Sequence, residues 1–174
     1  NIVVSFVSAL VPLLVAIANA DYLRHLYGEA LQYTPIVGQL YVWISGFALF
    51  AFLITLTREI VKDMQDIEGD REMECRTMPI VWGEKTTKII VTAILLLTMA
   101  LIAYLAFAVL PFPCDWKTLS TRYVIFGLMV PILCAIILLW SAKSPLEYRR
   151  TQLVIKFVMF MGVLYSFVIQ QNII

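Results

Sequence analysis

Four carboxylates that follow one another at a regular spacing are the residues of this sequence best suited to chemistry. Glu59, Asp63, Asp66 and Asp70 stand four, three and four residues apart. At about 3.6 residues per turn, this spacing places them on one face if the segment is helical. Like charges on one face repel each other, so the spacing predicts a bound cation. Mg²⁺ suits these oxygens because it takes one or two carboxylates and fills its other positions with water and phosphate oxygens.

Three basic residues lie among these acids and are candidates for binding phosphate. Lys62, Arg71 and Arg76 can each donate charge-assisted hydrogen bonds to phosphate oxygens. Lys62 and Arg71 have an alternative, which is to pair with Glu68 and Glu72. The stretch also has a simpler interpretation, a solvated acidic helix end held by ion pairs between neighbouring turns.

The acids are concentrated in the stretch from Thr57 to Lys85, which holds eight of the twelve carboxylates of the chain. Apolar segments long enough to cross a bilayer flank it on both sides. Ionisable residues in or beside a membrane are by default functional candidates. Glu59 lies deepest of the four acids, so we expect it to pair with Arg58 or Lys62 instead of binding the cation.

The composition is that of a membrane protein. Of the 174 residues, 61% are hydrophobic and 14% are charged, and the mean hydropathy is +0.88, whereas soluble domains are about a quarter charged. The net charge of +1 and the lack of a basic patch with interleaved aromatic residues argue against a nucleic-acid partner. The three cysteines have neither disulfide nor zinc spacing.

Five apolar segments predict an all-α fold, a polytopic transmembrane helix bundle that forms a single domain over residues 1–174. A helix needs about 20 apolar residues to cross the hydrocarbon core. The predicted spans are Ile2–Asn19, Gln39–Lys62, Ile89–Leu110, Tyr123–Trp140 and Leu153–Ile169.

Prolines and polar runs predict where these helices end. Pro79 is expected to break any helix that follows the acidic stretch. Pro131 is expected to kink the fourth span because it removes one backbone hydrogen bond. Tyr22, Tyr27 and Tyr33 are expected at the membrane interface. The predicted connections are Asp21–Pro35, Arg71–Lys88, Pro111–Lys117 and Ser141–Thr151.

The basic residues predict the orientation of the bundle. Ten of the thirteen Lys and Arg fall on one side of the predicted membrane, whereas Arg24, Lys117 and Arg122 fall on the other. Cytoplasmic connections carry the excess of basic residues in membrane proteins. The protein is therefore expected to be an integral, multi-pass membrane protein whose acidic stretch faces the cytoplasm.

The acidic stretch resembles the second aspartate-rich motif of the UbiA superfamily of intramembrane prenyltransferases. Asp66 and Asp70 occupy the D-x-x-x-D of that family, and Asp63 is the further acid that many members carry one turn earlier. The family continues with a basic residue and Ser/Thr and then Leu-Pro-x-x-x-Gly, which this chain matches with Arg76-Thr77, Pro79 and Gly83.

Two positions depart from the family pattern, and one segment points to a branch of it. Met78 replaces the usual Leu, a change of similar volume. Glu74 stands where many members have Gly, which alters the turn expected before Arg76. The segment Arg58–Asp63 is most similar to the branch that prenylates geranylgeranylglyceryl phosphate.

The resemblance implies a Mg²⁺-dependent enzyme that transfers a prenyl group, geranylgeranyl in this branch, from an isoprenyl diphosphate to a lipid acceptor, geranylgeranylglyceryl phosphate. An aromatic acceptor of quinone biosynthesis is the alternative. The resemblance further implies that Asp66 and Asp70 bridge the metal and that Asp63 contributes to the same metal or orients a bound water. The implied diphosphate contacts are Arg76 and, more weakly, Lys62 and Arg71.

The resemblance covers only the last five of the family's nine helices. The first motif of the family, N-x-x-x-D-x-x-x-D, has no counterpart, since Asn19 and Asp21 have the wrong spacing and fall on the opposite side of the predicted membrane. We therefore expect the chain to be the C-terminal portion of a longer protein, to depend on that protein's N-terminal helices as partners, and to be inactive alone. Two other functions stay open, a cation-binding transporter and a non-catalytic membrane subunit.

Overall fold

The computed structural model describes residues 1–28, 36–106 and 118–173, and these residues are built from helices. α1 (Ile2–Tyr27) and α2 (Ile36–Gln65) are followed by two short helices, α3 (Ile67–Glu72) and α4 (Met78–Trp82), and by α5 (Glu84–Tyr104). α6 (Leu119–Tyr123), a π-helical segment (Val124–Met129) and α7 (Val130–Ser141) continue one another, and α8 (Pro145–Ile173) comes last.

Within the described residues, five helical stretches are long and apolar enough to cross a membrane. They are Ile2–Asn19, Tyr41–Gln65, Glu84–Tyr104, Leu119–Ser141 and Pro145–Val168. A helix satisfies its own backbone hydrogen bonds, which is what the hydrocarbon region requires. The predicted all-α class and the five predicted spans are confirmed for the part of the chain that the structure describes.

Several helices extend further than the sequence predicted. α1 continues to Tyr27, so the aqueous loop predicted from Asp21 begins too early. α8 begins at Pro145, so most of the loop predicted over Ser141–Thr151 is helical. Pro79 lies in the first turn of α4, where a helix break was expected. Pro79 and Pro145 each lie in the first turn of a helix. A proline is well tolerated there, because the backbone N–H groups of the first turn have no partner within the helix.

Parts of two predicted connections lie outside the described residues. Residues 29–35 hold Tyr33 and Pro35, and residues 107–117 hold the predicted end of the third span at Leu110 and the turn that follows it. The predictions made for those positions therefore stay predictions.

α2 is the central helix of the bundle. It packs against α1, α5 and α8, while α7 packs against α8. The buried side of α2 includes Ile54, Ile60, Val61 and Met64, each at most 2% exposed. In lipid, close packing of such side chains holds helices together, because apolar burial alone gains little there.

Two glycines bring other helices close to α2. A side chain at Gly162 of α8 would overlap the ring of Phe50, and one at Gly46 would overlap a methyl group of Leu105. Small residues at helix contacts allow this approach within membranes. Gly162 thus fixes the distance between α2 and α8, and Gly46 the distance between α2 and the chain that follows α5.

A polar network lies on the side of the bundle where α2 ends and α5 begins. Lys88 is 8% exposed, and its Nζ donates to the Ala142 carbonyl at 2.6 Å and pairs with the Glu84 Oε1 at 3.1 Å. Tyr148 donates its hydroxyl to the same Glu84 oxygen, and its ring centroid lies 5.3 Å from the Lys88 Nζ. The network joins the first turn of α5 to the α7–α8 turn and to α8.

The fourth span departs from α geometry just before Pro131. The π-helical segment occupies the six residues Val124–Met129, in the turns where proline withholds a backbone donor. Next to it, Tyr123 stacks on Tyr165 with ring centroids 5.6 Å apart and donates its hydroxyl to the Met161 carbonyl at 2.9 Å. These contacts attach the irregular segment to α8.

α1 is the least enclosed of the five spans. Only 12% of its apolar window is buried, compared with 50% for Tyr41–Gln65. Its exposed side chains include Val3, Phe6, Val7 and Leu14. This surface is apolar, so it is suited to contact with lipid or with further helices.

Candidate functional site

α2 and α3 meet at Asp66, which leaves regular helix geometry while the hydrogen bonding continues. Asp66 has φ −102° and ψ 16°. Its N–H donates to the Lys62 carbonyl at 3.1 Å, and the Asp70 N–H donates to the Asp66 carbonyl at 2.9 Å. Asp66 and Asp70 therefore lie on consecutive turns, as the spacing predicts, with Asp66 exposed and Asp70 half-buried.

Asp63 lies one turn earlier and is held by a residue from the start of the chain. The Asn1 side-chain amide donates a hydrogen bond from Nδ2 to the Asp63 Oδ2. Asp63 is half-buried and lies within electrostatic range of Asp70 and Glu59. The sequence gives no local signal of this contact, because Asn1 lies 62 positions away from Asp63.

Glu59 is committed to an ion pair. It is 9% exposed, and the Arg58 guanidinium donates to its Oε1, with an Nε to Oε1 distance of 3.0 Å. The predicted pairing with Arg58 is confirmed. Glu59 shares the α2 face predicted for the acids, but its charge is already compensated.

The three predicted phosphate contacts are all exposed to solvent. Lys62 lies on the last turn of α2, Arg71 on α3, and Arg76 in the connection to α4. No ion pair among the described residues joins Lys62 or Arg71 to Glu68 or Glu72, which was the alternative predicted for them. Their charged groups are therefore accessible to an anion from the aqueous side.

The turn before Arg76 is made by a left-handed residue. Glu74 has φ 55°, a conformation that favours glycine. The Met73 N–H donates to the Gly69 carbonyl at 3.1 Å, and the Cys75 N–H donates to the Asp70 carbonyl at 2.9 Å. The turn is thus formed with glutamate in the place where the resemblance leads one to expect glycine.

Two buried polar atoms near the motif have no partner among the described residues. They are the Gln65 Oε1, at the end of α2, and the Thr77 Oγ1, just before α4. Buried polar atoms are normally satisfied, so the Gln65 Oε1 can still accept a hydrogen bond, and the Thr77 hydroxyl can accept or donate one. Thr77 follows Arg76 in the matched motif, but Gln65 was not singled out from the sequence.

The carboxylates are the type of ligand that binds Mg²⁺, but the described ones do not surround a common point. No group of three or more His, Cys, Asp or Glu side chains close enough to hold a metal occurs within residues 1–28, 36–106 and 118–173. Protein-bound Mg²⁺ commonly takes one or two carboxylates and keeps several waters or phosphate oxygens. Asp66 and Asp70 can supply such a pair, which leaves the other positions to other ligands.

An apolar groove of about 350 Å³ runs between α1, α2 and α8. Its walls include Pro12 of α1, Phe50 and Ile54 of α2, and Gly162 of α8. A second apolar cavity adjoins it beyond Phe50, toward Trp43 and Tyr165. At about 1.5 Å of helix rise per residue, Ile54 lies roughly 14 Å along α2 from Asp63.

The family of the chain follows from its similarity to known protein families. The model of the UbiA prenyltransferase family matches residues 1–164. The chain belongs to the UbiA prenyltransferase family. The resemblance found at the acidic stretch thus extends over most of the chain, and the five apolar helices are those of an integral membrane protein of this family.

Among the similar UbiA proteins are several named digeranylgeranylglyceryl phosphate synthase. The protein from Methanosphaera stadtmanae is 32% identical over 131 residues, which are 72% of this chain and 42% of that protein. The Methanopyrus kandleri protein is 28% identical over 162 residues, 82% of this chain and 56% of that protein. The Pyrococcus furiosus protein is 38% identical over 90 residues, 41% of this chain and 32% of that protein.

The alignments span between about a third and just over half of the length of these relatives. No solved structure matches this UbiA chain.

Proposed function

We propose that this UbiA chain is the C-terminal portion of an enzyme that transfers a geranylgeranyl group from its diphosphate to geranylgeranylglyceryl phosphate, with Mg²⁺ as cofactor. Family membership supports the reaction class, and the names of the relatives support the acceptor. The observation that carries the proposal is the placement of Asp66 and Asp70 on consecutive turns where α2 ends, beside three exposed basic residues.

The proposed site divides between a charged end and an apolar interior. The diphosphate lies against α3 and the connection to α4, where the Arg76 guanidinium binds its oxygens and Lys62 and Arg71 add positive charge. The prenyl chain extends into the groove between α1, α2 and α8. That groove contains apolar walls, which suits a hydrocarbon chain.

Asp66 and Asp70 are proposed to hold the metal ion, and Asp63 to bind the same ion or to orient a water on it. When bound, Mg²⁺ supplies positive charge that stabilises the departing diphosphate. The carbon–oxygen bond of the allylic diphosphate breaks with its electron pair on diphosphate, and the acceptor hydroxyl bonds to the allylic carbon and releases its proton. The apolar walls exclude water, which would otherwise compete with the acceptor.

The acceptor is tested by incubating membranes that contain the full-length protein with labelled geranylgeranyl diphosphate and one acceptor at a time. We expect product with geranylgeranylglyceryl phosphate in the presence of Mg²⁺ and none with EDTA. Product with an aromatic acid alone would support the quinone-pathway alternative. Mg²⁺ binding without product from any acceptor would favour the transporter or the non-catalytic subunit.

We further propose that helices preceding this chain in the natural protein bring the second set of acids. Two observations support this: the chain matches only part of the length of its relatives, and the described acids do not enclose a metal. The test compares prenyl transfer by the 174 residues alone with transfer by the same chain with its natural upstream sequence. Full activity from the 174 residues alone would refute the proposal.

A further inference from the structure

The contact between Asn1 and Asp63 is a second, separate feature of the acidic end. It joins the first residue before α1 to the last turns of α2, across 62 positions of sequence. The two helices pack against each other along their length. The Asp63 carboxylate is thus bound by a residue that lies next to the start of α1.

The backbone of Asn1 is fixed by the first turn of α1. Its carbonyl accepts a hydrogen bond from the Ser5 N–H at 3.1 Å and another from the Ser5 hydroxyl at 2.9 Å. Ser5 is fully buried. A fixed backbone leaves the Asn1 side chain few ways to move, so its amide is a well-placed donor toward α2.

The chemistry of the donor matters as much as its position. Glu59 is held by the cation of Arg58, which neutralises it. Asp63 is held by an uncharged amide that engages one carboxylate oxygen, Oδ2. A carboxylate bound in this way keeps its negative charge and one oxygen for another ligand, while its orientation is set.

We propose that Asn1 is a positioning residue that orients the Asp63 carboxylate toward the divalent cation of the prenyl diphosphate site. This inference rests on the proposed function and deepens it. Residues that hydrogen-bond to metal-ligating groups fix the orientation of those groups, and their loss typically lowers metal affinity or activity about 10- to 100-fold. Asn1 has this relation to Asp63.

The test uses the full-length protein with Asn1→Ala, Asn1→Gln and a matched control, Asn19→Ala. Asn19 is the same residue type and lies within α1, but its amide donates to the Val15 carbonyl of the same helix at 2.7 Å. Mn²⁺ binding is measured by electron paramagnetic resonance without turnover, and the Mg²⁺ dependence of prenyl transfer is measured in parallel. Asn1→Ala is expected to weaken both by about 10-fold or more, Asn1→Gln by less, and Asn19→Ala not at all.

A double-mutant cycle separates positioning from a general effect on the fold. In an Asp63→Ala background, Asn1→Ala is expected to cause no further loss of Mn²⁺ affinity, because the carboxylate it acts on is gone. Additive losses, or unchanged Mn²⁺ affinity in Asn1→Ala, would overturn the inference. If Asn1→Ala does not accumulate as folded protein, Asn1→Gln in the same cycle decides by the same criteria.

The two proposals fail in different ways. In the first outcome, Asn1→Ala binds Mn²⁺ more weakly than wild type, but the wild-type protein transfers no prenyl group. This outcome supports the positioning role and overturns only the proposed reaction. In the second outcome, the wild-type protein transfers the prenyl group, and Asn1→Ala shows the same Mg²⁺ dependence of that transfer. This outcome overturns only the positioning role.

Discussion

The carboxylates at the end of α2 differ in what already holds them, and this difference ranks how available each is for the proposed metal ion. Glu59 is neutralised by Arg58 and Asp63 is oriented by a neutral amide. Asp66 and Asp70 lie on consecutive turns, with Asp66 exposed and Asp70 half-buried. Glu59, which is already paired with a cation, is therefore the least available to bind a metal ion, and Asp66 and Asp70 are the most available.

Replacing the two outer acids tests that ranking. Asp66→Asn and Asp70→Asn are each expected to abolish prenyl transfer by the full-length protein without changing its folding, because a carboxamide keeps the shape and loses the charge. Asp63→Asn is expected to lose less of the prenyl-transfer activity than either of these variants. The rate is measured at saturating and limiting Mg²⁺, with thermal unfolding as the check on folding. Near-normal turnover by Asp70→Asn would contradict the assignment.

The left-handed turn before Arg76 gives a prediction about stability. Glu74→Gly removes the strain of a left-handed non-glycine residue, which adds about 1–2 kcal/mol to the free energy of unfolding. The greater freedom of glycine in the unfolded chain offsets about 0.5–1 kcal/mol of this gain. We expect a small net gain in the free energy of unfolding, visible as a higher thermal unfolding midpoint.

Glu74→Ala is the matched control, since it removes the same charge but keeps the Cβ that causes the strain. It is expected to leave the unfolding midpoint unchanged. An equal gain in Glu74→Ala and Glu74→Gly would show that charge repulsion within the acidic stretch, and not the backbone, is what the substitution relieves.

The sequence predicted the residues of the candidate site that are close in the chain, and it missed the contact that comes from far away. The spacing from Asp63 to Asp70 implies consecutive turns, because helical periodicity is a local property. The Arg58–Glu59 pair is local as well. Asn1 reaches Asp63 only after α1 and α2 have packed, and no spacing rule connects two residues 62 positions apart.

At the scale of the helices, the sequence predicted which segments are helical better than it predicted where each helix begins and ends. Long apolar runs predicted all five spans, since the hydrocarbon thickness sets their length. Pro79 misled the prediction, because proline both ends helices and begins them, and the polar residues of Ser141–Thr151 misled it because a helix can be polar where it leaves the membrane. What decides whether a proline ends or begins a helix is the chain that follows, and here α4 and α8 follow.

The network around Lys88 gives a prediction at the level of the helices it joins. Lys88→Met removes the donor to the Ala142 carbonyl and leaves that buried oxygen with a long contact of 3.4 Å to the Tyr148 hydroxyl. An unsatisfied buried group costs about 1–3 kcal/mol. We expect a lower thermal unfolding midpoint, by about 2–4 °C per kcal/mol for a chain of this size.

Lys85→Met is the control for the charge and for the position at the start of α5, since Lys85 is exposed. It is expected to leave the unfolding midpoint within a degree or so of wild type, because surface substitutions away from specific contacts have small effects. Tyr148→Phe should fall between the two. Equal losses in Lys88→Met and Lys85→Met would mean that the network does not stabilise the bundle.

For the whole molecule, the distribution of basic residues predicts an orientation that can be measured directly. In a background without the three native cysteines, single cysteines are placed at Ser141 and Tyr22, which are both exposed. Each lies near the C-terminal end of its helix, and the two helices are predicted to cross the membrane in opposite directions. A membrane-impermeant thiol reagent applied to intact cells is expected to label position 22 and not position 141. The reverse pattern would place the acidic stretch outside the cytoplasm.

The close contact between Gly162 and Phe50 also sets an order of events during synthesis. The two residues are 112 positions apart, so at about 5–20 residues per second the ribosome adds Gly162 roughly 6–22 seconds after Phe50. Until α8 has been inserted, the side of α2 that packs against it has no protein partner there, and lipid can cover that side because it is apolar. A chain whose synthesis stops before α8 therefore keeps the α1 and α2 walls of the groove and lacks the wall that α8 supplies.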